Sequence, residues 1–314
     1  MKILTLNTHS LAEPGYEEKI VQFADAAAAW QPDVMGFQEV NQTASAPVLP
    51  EERLKGYVRC SGFAGCIRED NHGARLAGLL EKRGLPYFWT WLPAKLGYGK
   101  YDEGLAVFSR SPLLETEGFT ISCADDYNNW KTRKILGIRR EEGWFYSVHM
   151  GWWEDQEEPF SCQWDRVDRR LKGKAAEMAA EAEENAAGAA DGKAKSGNIW
   201  VMGDFNSPAQ IRDQGYDYVR RLGWKDTYSM AETRDDGITV DQVIDGWRDK
   251  LVRREPEERD DPEKKEELQG MRIDFIWSLR ELPVIRSRVV FNGKEYPKVS
   301  DHNGVMIETG RSRK

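Results

Sequence analysis

The stretch Gly203-Asp204-Phe205-Asn206-Ser207-Pro208 is the most informative part of this sequence, and it follows directly on the apolar run 199–202. A short apolar run that ends in glycine and polar residues is typical of a buried β-strand that stops at a polar loop. Asp204 and Asn206 are two residues apart, which places them on the same face of a strand. The stretch therefore predicts a strand end that presents a carboxylate and an amide to one site.

Polar residues of the same chemical kind stand at the ends of other apolar runs along the chain. One polar residue at a strand end is commonplace, because strands must end in polar loops. A set of them is informative, because side chains at the ends of adjacent strands can meet at one edge of a sandwich. The set comprises Asn7 after run 3–6, Glu39 after 34–38, His149 after 145–148, Asp274 within 272–277, and Asp301 and His302 before 304–307.

The chemistry of this set favours a hard cation and a phosphate. Carboxylate and amide oxygens are the ligands that Mg²⁺ prefers, and it usually binds through one or two carboxylates, several waters and a substrate phosphate. The pattern therefore indicates a metal-dependent hydrolase with Mg²⁺ as its cofactor, and Mn²⁺ as the alternative cation.

Many short strands and few long helices indicate two packed β-sheets flanked by helices. The apolar spacing predicts helices over Tyr16–Trp30 and 166–190, whereas periodicity alone leaves a doubly wound α/β fold open. We expect one domain over 1–314, with the charged segment 253–270 as an exposed insertion. Predicted strands cover 2–6, 34–38, 105–109, 135–138, 144–148, 199–202, 273–277, 289–291 and 304–307.

Charge and composition narrow the class of partner. The formal net charge is −8, whereas a protein that holds a long polyanion normally carries a basic stripe, so long nucleic acid is disfavoured. No apolar run approaches the length of a membrane span, and the N-terminus lacks the apolar core of a signal peptide. The four cysteines form no C-x-x-C pair, and we expect reduced thiols in a cytoplasmic protein.

Five motifs in this order resemble the endonuclease/exonuclease/phosphatase superfamily: Asn7, Gln38-Glu39, 203–208, 272–276 and 300–302. The resemblance runs from about residue 1 to residue 308 and includes the segment 103–110. It implies the four-layer α+β fold of deoxyribonuclease I, with two packed, mostly antiparallel sheets flanked by helices. It also implies a phosphoesterase in which an activated water attacks the phosphorus.

The resemblance further implies a role for each residue of the set. Glu39 resembles the main metal carboxylate, with Asn7 and Asp301 nearby. Asp204 resembles the general base and Asn206 the residue that holds the water or a phosphate oxygen, while His302, oriented by Asp274, donates to the phosphate. Whether Asp204 or the His302–Asp274 pair removes the proton stays open. His149 resembles a second histidine on the phosphate, and Glu103 is either its partner or a surface carboxylate.

The residues around this set point to a small substrate. Arg133 supplies positive charge for a phosphate. Trp152, Trp153 and Trp247 are candidates for stacking on a sugar ring, and packing of their own loop is the alternative role for the first two. The segments 4–10, 149–153 and 244–247 resemble a bacterial branch that includes maltose 6'-phosphate phosphatase. We therefore expect a sugar phosphate phosphatase. A phosphodiesterase of the nuclease or sphingomyelinase type is the alternative, and a non-catalytic binding protein is disfavoured because the metal and base residues are all present.

Overall fold

Thirteen strands pair into two sheets within the residues that the structure describes. The structure is a computed structural model, and it describes residues 1–187, 197–242, 244 and 270–310. The strands are β1 (Lys2–Asn7), β2 (Val34–Thr43), β3 (Phe88–Gly97), β4 (Tyr101–Ser109), β5 (Glu115–Thr120), β6 (Lys134–Arg140), β7 (Gly143–His149), β8 (Asn198–Asp204), β9 (Lys225–Asp226), β10 (Ala231–Arg234), β11 (Asp274–Ser278), β12 (Val284–Val290) and β13 (Gly304–Thr309).

Helices connect the strands on the outer faces of both sheets. They are α1 (Tyr16–Trp30), α2 (His72–Lys82), α3 (Phe160–Ala187), α4 (Gly215–Arg221) and α5 (Thr227–Met230), with 3₁₀ turns at Ser10–Ala12 and Glu51–Arg53. The first helix has the predicted bounds, because its apolar residues recur on one buried face. The third begins six residues earlier than predicted.

The sheet order brings the N-terminal and C-terminal strands together at the centre of one sheet. The seven-stranded sheet has the order β10-β12-β13-β1-β2-β4-β3, and the six-stranded sheet has the order β5-β6-β7-β8-β11-β9. Three pairings are parallel, β1 with β2, β7 with β8 and β10 with β12, and the others are antiparallel. The predicted pair of mostly antiparallel sheets is confirmed, and the doubly wound alternative is wrong.

Three apolar clusters divide the interior into layers. One cluster packs α1 and α2 on the outer face of the seven-stranded sheet. A second packs α3 and α4 on the outer face of the six-stranded sheet. The third lies between the sheets, where Phe145 and Trp200 stack at 6.1 Å. The predicted four-layer order of helix, sheet, sheet and helix is therefore present.

Seven elements were not predicted: the strands β3, β5, β9 and β10 and the helices α2, α4 and α5. The strand β3 contains a proline and Lys95, which interrupt the alternation expected of a strand. The helix α2 begins at His72, which sequence reasoning treats as a loop residue. It is instead a buried residue whose Nδ1 lies 3.1 Å from the Tyr16 hydroxyl. Asn71 caps this helix by accepting a hydrogen bond from the Ala74 amide.

Some predictions fall outside the described residues. They are Trp247 and the charged segment 253–270, of which only Gly270 is described. A single domain over 1–314 stays a prediction. In the part of the chain that the structure describes, no helix has the length and apolar character needed to cross a membrane. All four cysteines are free thiols.

Candidate active site

The predicted site residues lie at one edge of the two sheets. Asn7, His149 and Asp204 each end a strand, and the ends of parallel neighbours share an edge. His149 pairs with Asp204 across the parallel β7–β8 ladder, and Asp274 pairs with Asp204 across the antiparallel β8–β11 ladder. His302 precedes β13, which runs antiparallel to β1 and so begins at the same edge. Strand direction alone thus brings distant parts of the sequence together.

A β-bulge turns Glu39 toward this edge. The register of β2 with β4 shifts between Phe37 and Val40, and Glu39 has a left-handed backbone with φ of 51°. That conformation costs about 1–3 kcal/mol for a residue with a side chain. The preceding residue, Gln38, is held between the sheets, where its Nε2 donates to Ser147 Oγ at 2.8 Å. The bulge lets Gln38 face the other sheet while Glu39 faces the site.

The Asn7 side chain joins Glu39 to Asp204. Its Nδ2 donates to Glu39 Oε1 at 3.0 Å and to Asp204 Oδ2 at 3.1 Å. Burial raises the pKa of Asp204 to about 6, and burial together with the charge of Glu103 raises the pKa of Glu39 to about 7. Two carboxylates on opposite sheets therefore belong to one site.

His302 and Asp274 form a buried pair next to Asp204. His302 Nδ1 lies 3.0 Å from Asp274 Oδ2, and its Nε2 lies 3.8 Å from Asp204 Oδ2. Burial opposes protonation of the ring, but the carboxylates of Asp274 and Asp204 outweigh it and hold the pKa of His302 well above its usual value. The two carboxylates therefore favour the charged form of the imidazole, in which each ring nitrogen carries a proton.

His149 is the second histidine of the site, and its pKa is shifted in the opposite direction from that of His302. Its Nε2 lies 3.6 Å from Asp204 Oδ2, and its Nδ1 lies 4.0 Å from Glu39 Oε1. Burial, followed by the positive charges of Arg133 and Lys95, holds the pKa of His149 well below its usual value. A neutral imidazole and a charged one thus flank the same carboxylate.

Asn206 is fixed against Asp204 by a tight turn. Its backbone is left-handed, with φ of 45°, and its N–H donates to Asp204 Oδ1 at 2.8 Å. Its side-chain Nδ2 donates to the Met150 carbonyl at 3.0 Å. The predicted placement of Asn206 beside Asp204 is therefore observed, but a turn rather than a continuing strand produces it.

Asp301 lies with His9 and Glu13, two residues that the sequence did not place in the site. His9 Nδ1 lies 2.7 Å from Glu13 Oε1 and 3.9 Å from Asp301 Oδ1, and the Asp301 N–H donates to Glu13 Oε1 at 3.0 Å. Although burial lowers it, these carboxylates and Glu39 raise the pKa of His9 to about 9. His9 is thus no ordinary loop residue. The sequence feature that could have identified His9 as a site residue is its position two residues after Asn7.

Glu103 is buried, and its ion-pair partner is Lys95. The two residues are register partners across β3 and β4, with Lys95 Nζ 3.1 Å from Glu103 Oε1. Glu103, Arg133 and His149 line one open pocket. The alternative that Glu103 is a surface carboxylate is therefore wrong. Lys95 is a further basic residue near the site, and the sequence analysis did not identify it.

The aromatic candidates have different surroundings. Trp153 is buried in the apolar cluster beneath α3, and the partly buried Trp152 packs against that cluster with its ring 3.7 Å from that of Trp153. Packing is therefore one role of both residues. Gln242, in the segment before Trp247, donates from Nε2 to the Asp301 carbonyl at 3.2 Å. This contact places Gln242 beside Asp301.

The donor set fits a hard divalent cation. Glu39 and Asp301 offer carboxylate oxygens and Asn7 offers an amide oxygen, which is the chemistry that Mg²⁺ prefers. Two groups of metal-binding side chains also occur here, each with its candidate donor atoms within 4.8 Å of one another: His9, Glu13 and Asp301, and Asp204, Asp274 and His302. The second group already contains the His302–Asp274 ion pair.

Comparisons with known proteins agree with this arrangement. The sequence profile of the Endonuclease/Exonuclease/phosphatase family matches residues 4–302. A search of curated proteins finds no match. Among solved structures, an endonuclease/exonuclease/phosphatase family protein from Leptotrichia buccalis is similar at 29% identity and a TM-score of 0.75, covering 99% of this chain and 100% of that one.

Two more distant structures share the fold. A mannosyl-6-phosphatase from Bacteroides thetaiotaomicron has 16% identity and a TM-score of 0.59, with 99% of this chain and 100% of that chain covered. A 3' phosphatase from Neisseria, bound to a product DNA hairpin, has 17% identity and a TM-score of 0.53, again with 99% and 100% covered. At these identities the likeness shows the fold alone.

The two mixed sheets flanked by helices match a fold that is shared by hydrolases acting on phosphate esters. Because the profile spans nearly the whole sequence, the chain belongs to the Endonuclease/Exonuclease/phosphatase family. Members of this family are phosphoesterases and generally depend on divalent metal ions.

Proposed function

We propose that this protein is a Mg²⁺-dependent phosphomonoesterase that releases inorganic phosphate from a small phosphorylated sugar. The observation that carries the proposal is the Asn7 side chain, which hydrogen-bonds both Glu39 and Asp204. These two hydrogen bonds support the proposal that a cation ligand, Glu39, and a general base, Asp204, share one buried site. A cytoplasmic location and Mg²⁺ rather than Mn²⁺ are part of the same proposal.

The cation would be held by Glu39, Asn7 and Asp301. When bound, it supplies positive charge that polarises the phosphate ester and offsets the charge that builds up during attack. Glu13 and His9 position Asp301, because Glu13 accepts the Asp301 N–H and the His9 ring lies against both carboxylates. These contacts fix the ligand loop before substrate arrives.

Asp204 is the residue we assign as general base. A base must accept a proton from the attacking water, and a carboxylate whose pKa is raised by burial to about 6 suits that task near neutral pH. His302 is a poor base, because its Nδ1 faces the Asp274 carboxylate and its ring is positively charged. Its Nε2–H instead donates to a phosphate oxygen.

Asn206 and His149 complete the proposed mechanism. Asn206 is held beside Asp204 by its own backbone N–H, so its side chain is placed to orient the water or a phosphate oxygen. His149 is neutral and lies 3.6 Å from Asp204. We assign it to the phosphate or to the oxygen that leaves with the sugar.

A small substrate is favoured over a long nucleic acid by the charges around the site. The net charge is −8. Lys131, a basic residue two positions before Arg133, is already paired with Asp155 at 2.8 Å and Glu157 at 2.7 Å. The name of the Bacteroides mannosyl-6-phosphatase supports a sugar phosphate, and a phosphorylated disaccharide such as maltose 6'-phosphate is the first substrate to test. The name of the Neisseria 3' phosphatase favours a DNA terminus instead.

One assay separates these substrates. The purified protein is incubated with Mg²⁺ and a panel of sugar phosphates, a DNA hairpin with a 3' phosphate, and supercoiled plasmid, and phosphate release and nicking are measured. We expect the fastest release from a sugar phosphate and no nicking. Release only from the hairpin, or nicking without release from any monoester, would overturn the proposal.

A further inference from the structure

Among the described residues, the buried guanidinium of Arg133 has no acidic partner within ion-pair distance. The residue is 8% exposed, and its Nε has no hydrogen-bond partner among the described residues. The ion pairs that the described residues form do not include it. An unpaired buried charge costs several kcal/mol. Such a group persists when an absent anion completes the site.

Arg133 lines an open pocket whose other charges leave an excess of positive charge. The lining includes His149, Glu103 and Lys134, and Glu103 is already paired with Lys95. Arg133 and Lys134 therefore have no acidic partner within the pocket lining. His149 places this pocket beside Asp204, the candidate base. An anion in it would lie next to the reacting atoms.

We propose that Arg133, supported by the Lys95–Glu103 pair, is the residue that makes the site select a doubly charged terminal phosphate over a singly charged diester. The proposal rests on the phosphomonoesterase function and deepens it by naming the phosphate charge that the site recognises. A guanidinium binds two oxygens of a phosphate at once. Coulomb attraction scales with the product of the charges, so Arg133 favours a dianion over a monoanion.

Three variants test this assignment. Arg133→Met removes the positive charge and keeps roughly the length of the side chain. Arg133→Lys retains the positive charge but cannot form the bidentate hydrogen bonds of a guanidinium. Arg139→Met is the matched control, because Arg139 lies in β6, the strand that begins directly after Arg133, and pairs with Glu115 and Glu181 away from the pocket. Each is measured for calorimetric binding of inorganic phosphate in Mg²⁺ buffer, for thermal unfolding, and for hydrolysis of p-nitrophenyl phosphate and bis(p-nitrophenyl) phosphate.

Arg133→Met should weaken phosphate binding by roughly tenfold or more, because a hydrogen bond to a charged group is lost. The ratio of kcat/KM for the monoester to kcat/KM for the diester should fall in Arg133→Met. Arg133→Lys should recover part of the phosphate affinity and part of this ratio. Arg139→Met should match the wild type in both. The Tm of Arg133→Met should stay level or rise. Unchanged phosphate binding and selectivity, an equal loss in Arg139→Met, or a lowered Tm accompanying the loss would each overturn the proposal.

The two proposals fail in different ways. If the wild type hydrolyses no monoester yet binds inorganic phosphate through Arg133, the phosphatase function is wrong and the anion pocket stands. If the wild type is a phosphatase and Arg133→Met binds phosphate normally, the pocket alone is wrong.

Discussion

Gly203 shows how a single residue allows two strands of the site to approach each other. Its φ is 146°, and a Cβ atom at this position would lie 1.9 Å from the Val148 carbonyl oxygen. The next residue is Asp204, and Val148 precedes His149. The glycine of the Gly-Asp-Phe-Asn sequence is therefore required for the β7–β8 pairing that places these two side chains together.

Gly203→Ala should destabilise the fold by more than about 1 kcal/mol, because alanine fits neither this backbone conformation nor this space. Gly78→Ala is the matched control, since Gly78 lies within α2 with open space around it. That change should stabilise the protein by about 0.5–1 kcal/mol. Urea unfolding measures both, and equal effects of the two changes would contradict this account of Gly203.

Asp274→Asn should lower kcat by roughly two to four orders of magnitude with little change in KM. Asp274 acts through His302, whose Nδ1 it holds at 3.0 Å, so it is a positioning residue. A purely structural role would instead appear as a lowered Tm and a changed KM. Steady-state kinetics and a thermal melt decide between these outcomes.

The sequence predicted site residues that lie within a short motif. It did not predict residues that reach the site only through a contact with another strand. Asp204, Asn206 and His302 sit in short motifs, and each lies at the edge where the sequence placed it. Lys95 has no motif, and its burial depends on Glu103 across the β3–β4 pair. A cross-strand partner is set by register, which the local sequence does not reveal.

At the scale of elements, apolar spacing predicted α1 and missed α2. The second helix presents a polar face and begins with His72, and its buried side chains pack against α1 and the sheet beneath. The bulge in β2 was not predicted either, because the predicted strand 34–38 stops before Glu39, whereas the observed strand continues to Thr43. Both features depend on packing against other elements rather than on local pattern.

His72 should make the stability of the protein depend on pH. Burial and then the charge of Arg75 lower the pKa of His72 from 6.5 to about 3. Between these values the unfolded chain binds a proton that the folded chain does not, so stability is present above pH 6.5 and falls as the pH drops. The slope is about 1.4 kcal/mol per pH unit.

His72→Gln removes this titration and keeps a side-chain acceptor for the Tyr16 hydroxyl. Between about pH 7 and about pH 5, the wild type should lose roughly 2 kcal/mol more stability than the variant. Urea unfolding at the two pH values measures the difference. Parallel losses in both proteins would show that His72 is protonated in the folded state.

At the scale of the whole molecule, the site exists because two sheets meet. Glu39 and Asn7 come from the seven-stranded sheet, and Asp204 and His149 come from the six-stranded sheet. Gln38 ties the sheets together through Ser147. The sequence predicted the two sheets and the shared edge, but not the strand order, because pairing between distant strands leaves no local pattern.

A cation bound by Glu39, Asn7 and Asp301, at the edge of the seven-stranded sheet, should stabilise the fold. At a Mg²⁺ concentration of about 100 times Kd, the gain is about 2.7 kcal/mol. Glu39→Gln should raise the Mg²⁺ concentration needed for half-activity at least roughly tenfold and reduce the Mg²⁺-dependent rise in Tm. A normal metal requirement in this variant would remove Glu39 from the ligand set.

The central claim is that side chains from both sheets form one reaction centre around Asp204. Phosphate release in Mg²⁺ by Asp204→Asn, compared with Asp213→Asn, tests it most directly, because Asp213 is an exposed residue of the same type in the following loop. We predict that Asp204→Asn loses roughly two to four orders of magnitude in kcat at an unchanged Tm, while Asp213→Asn matches the wild type. Near-normal turnover by Asp204→Asn would contradict the account.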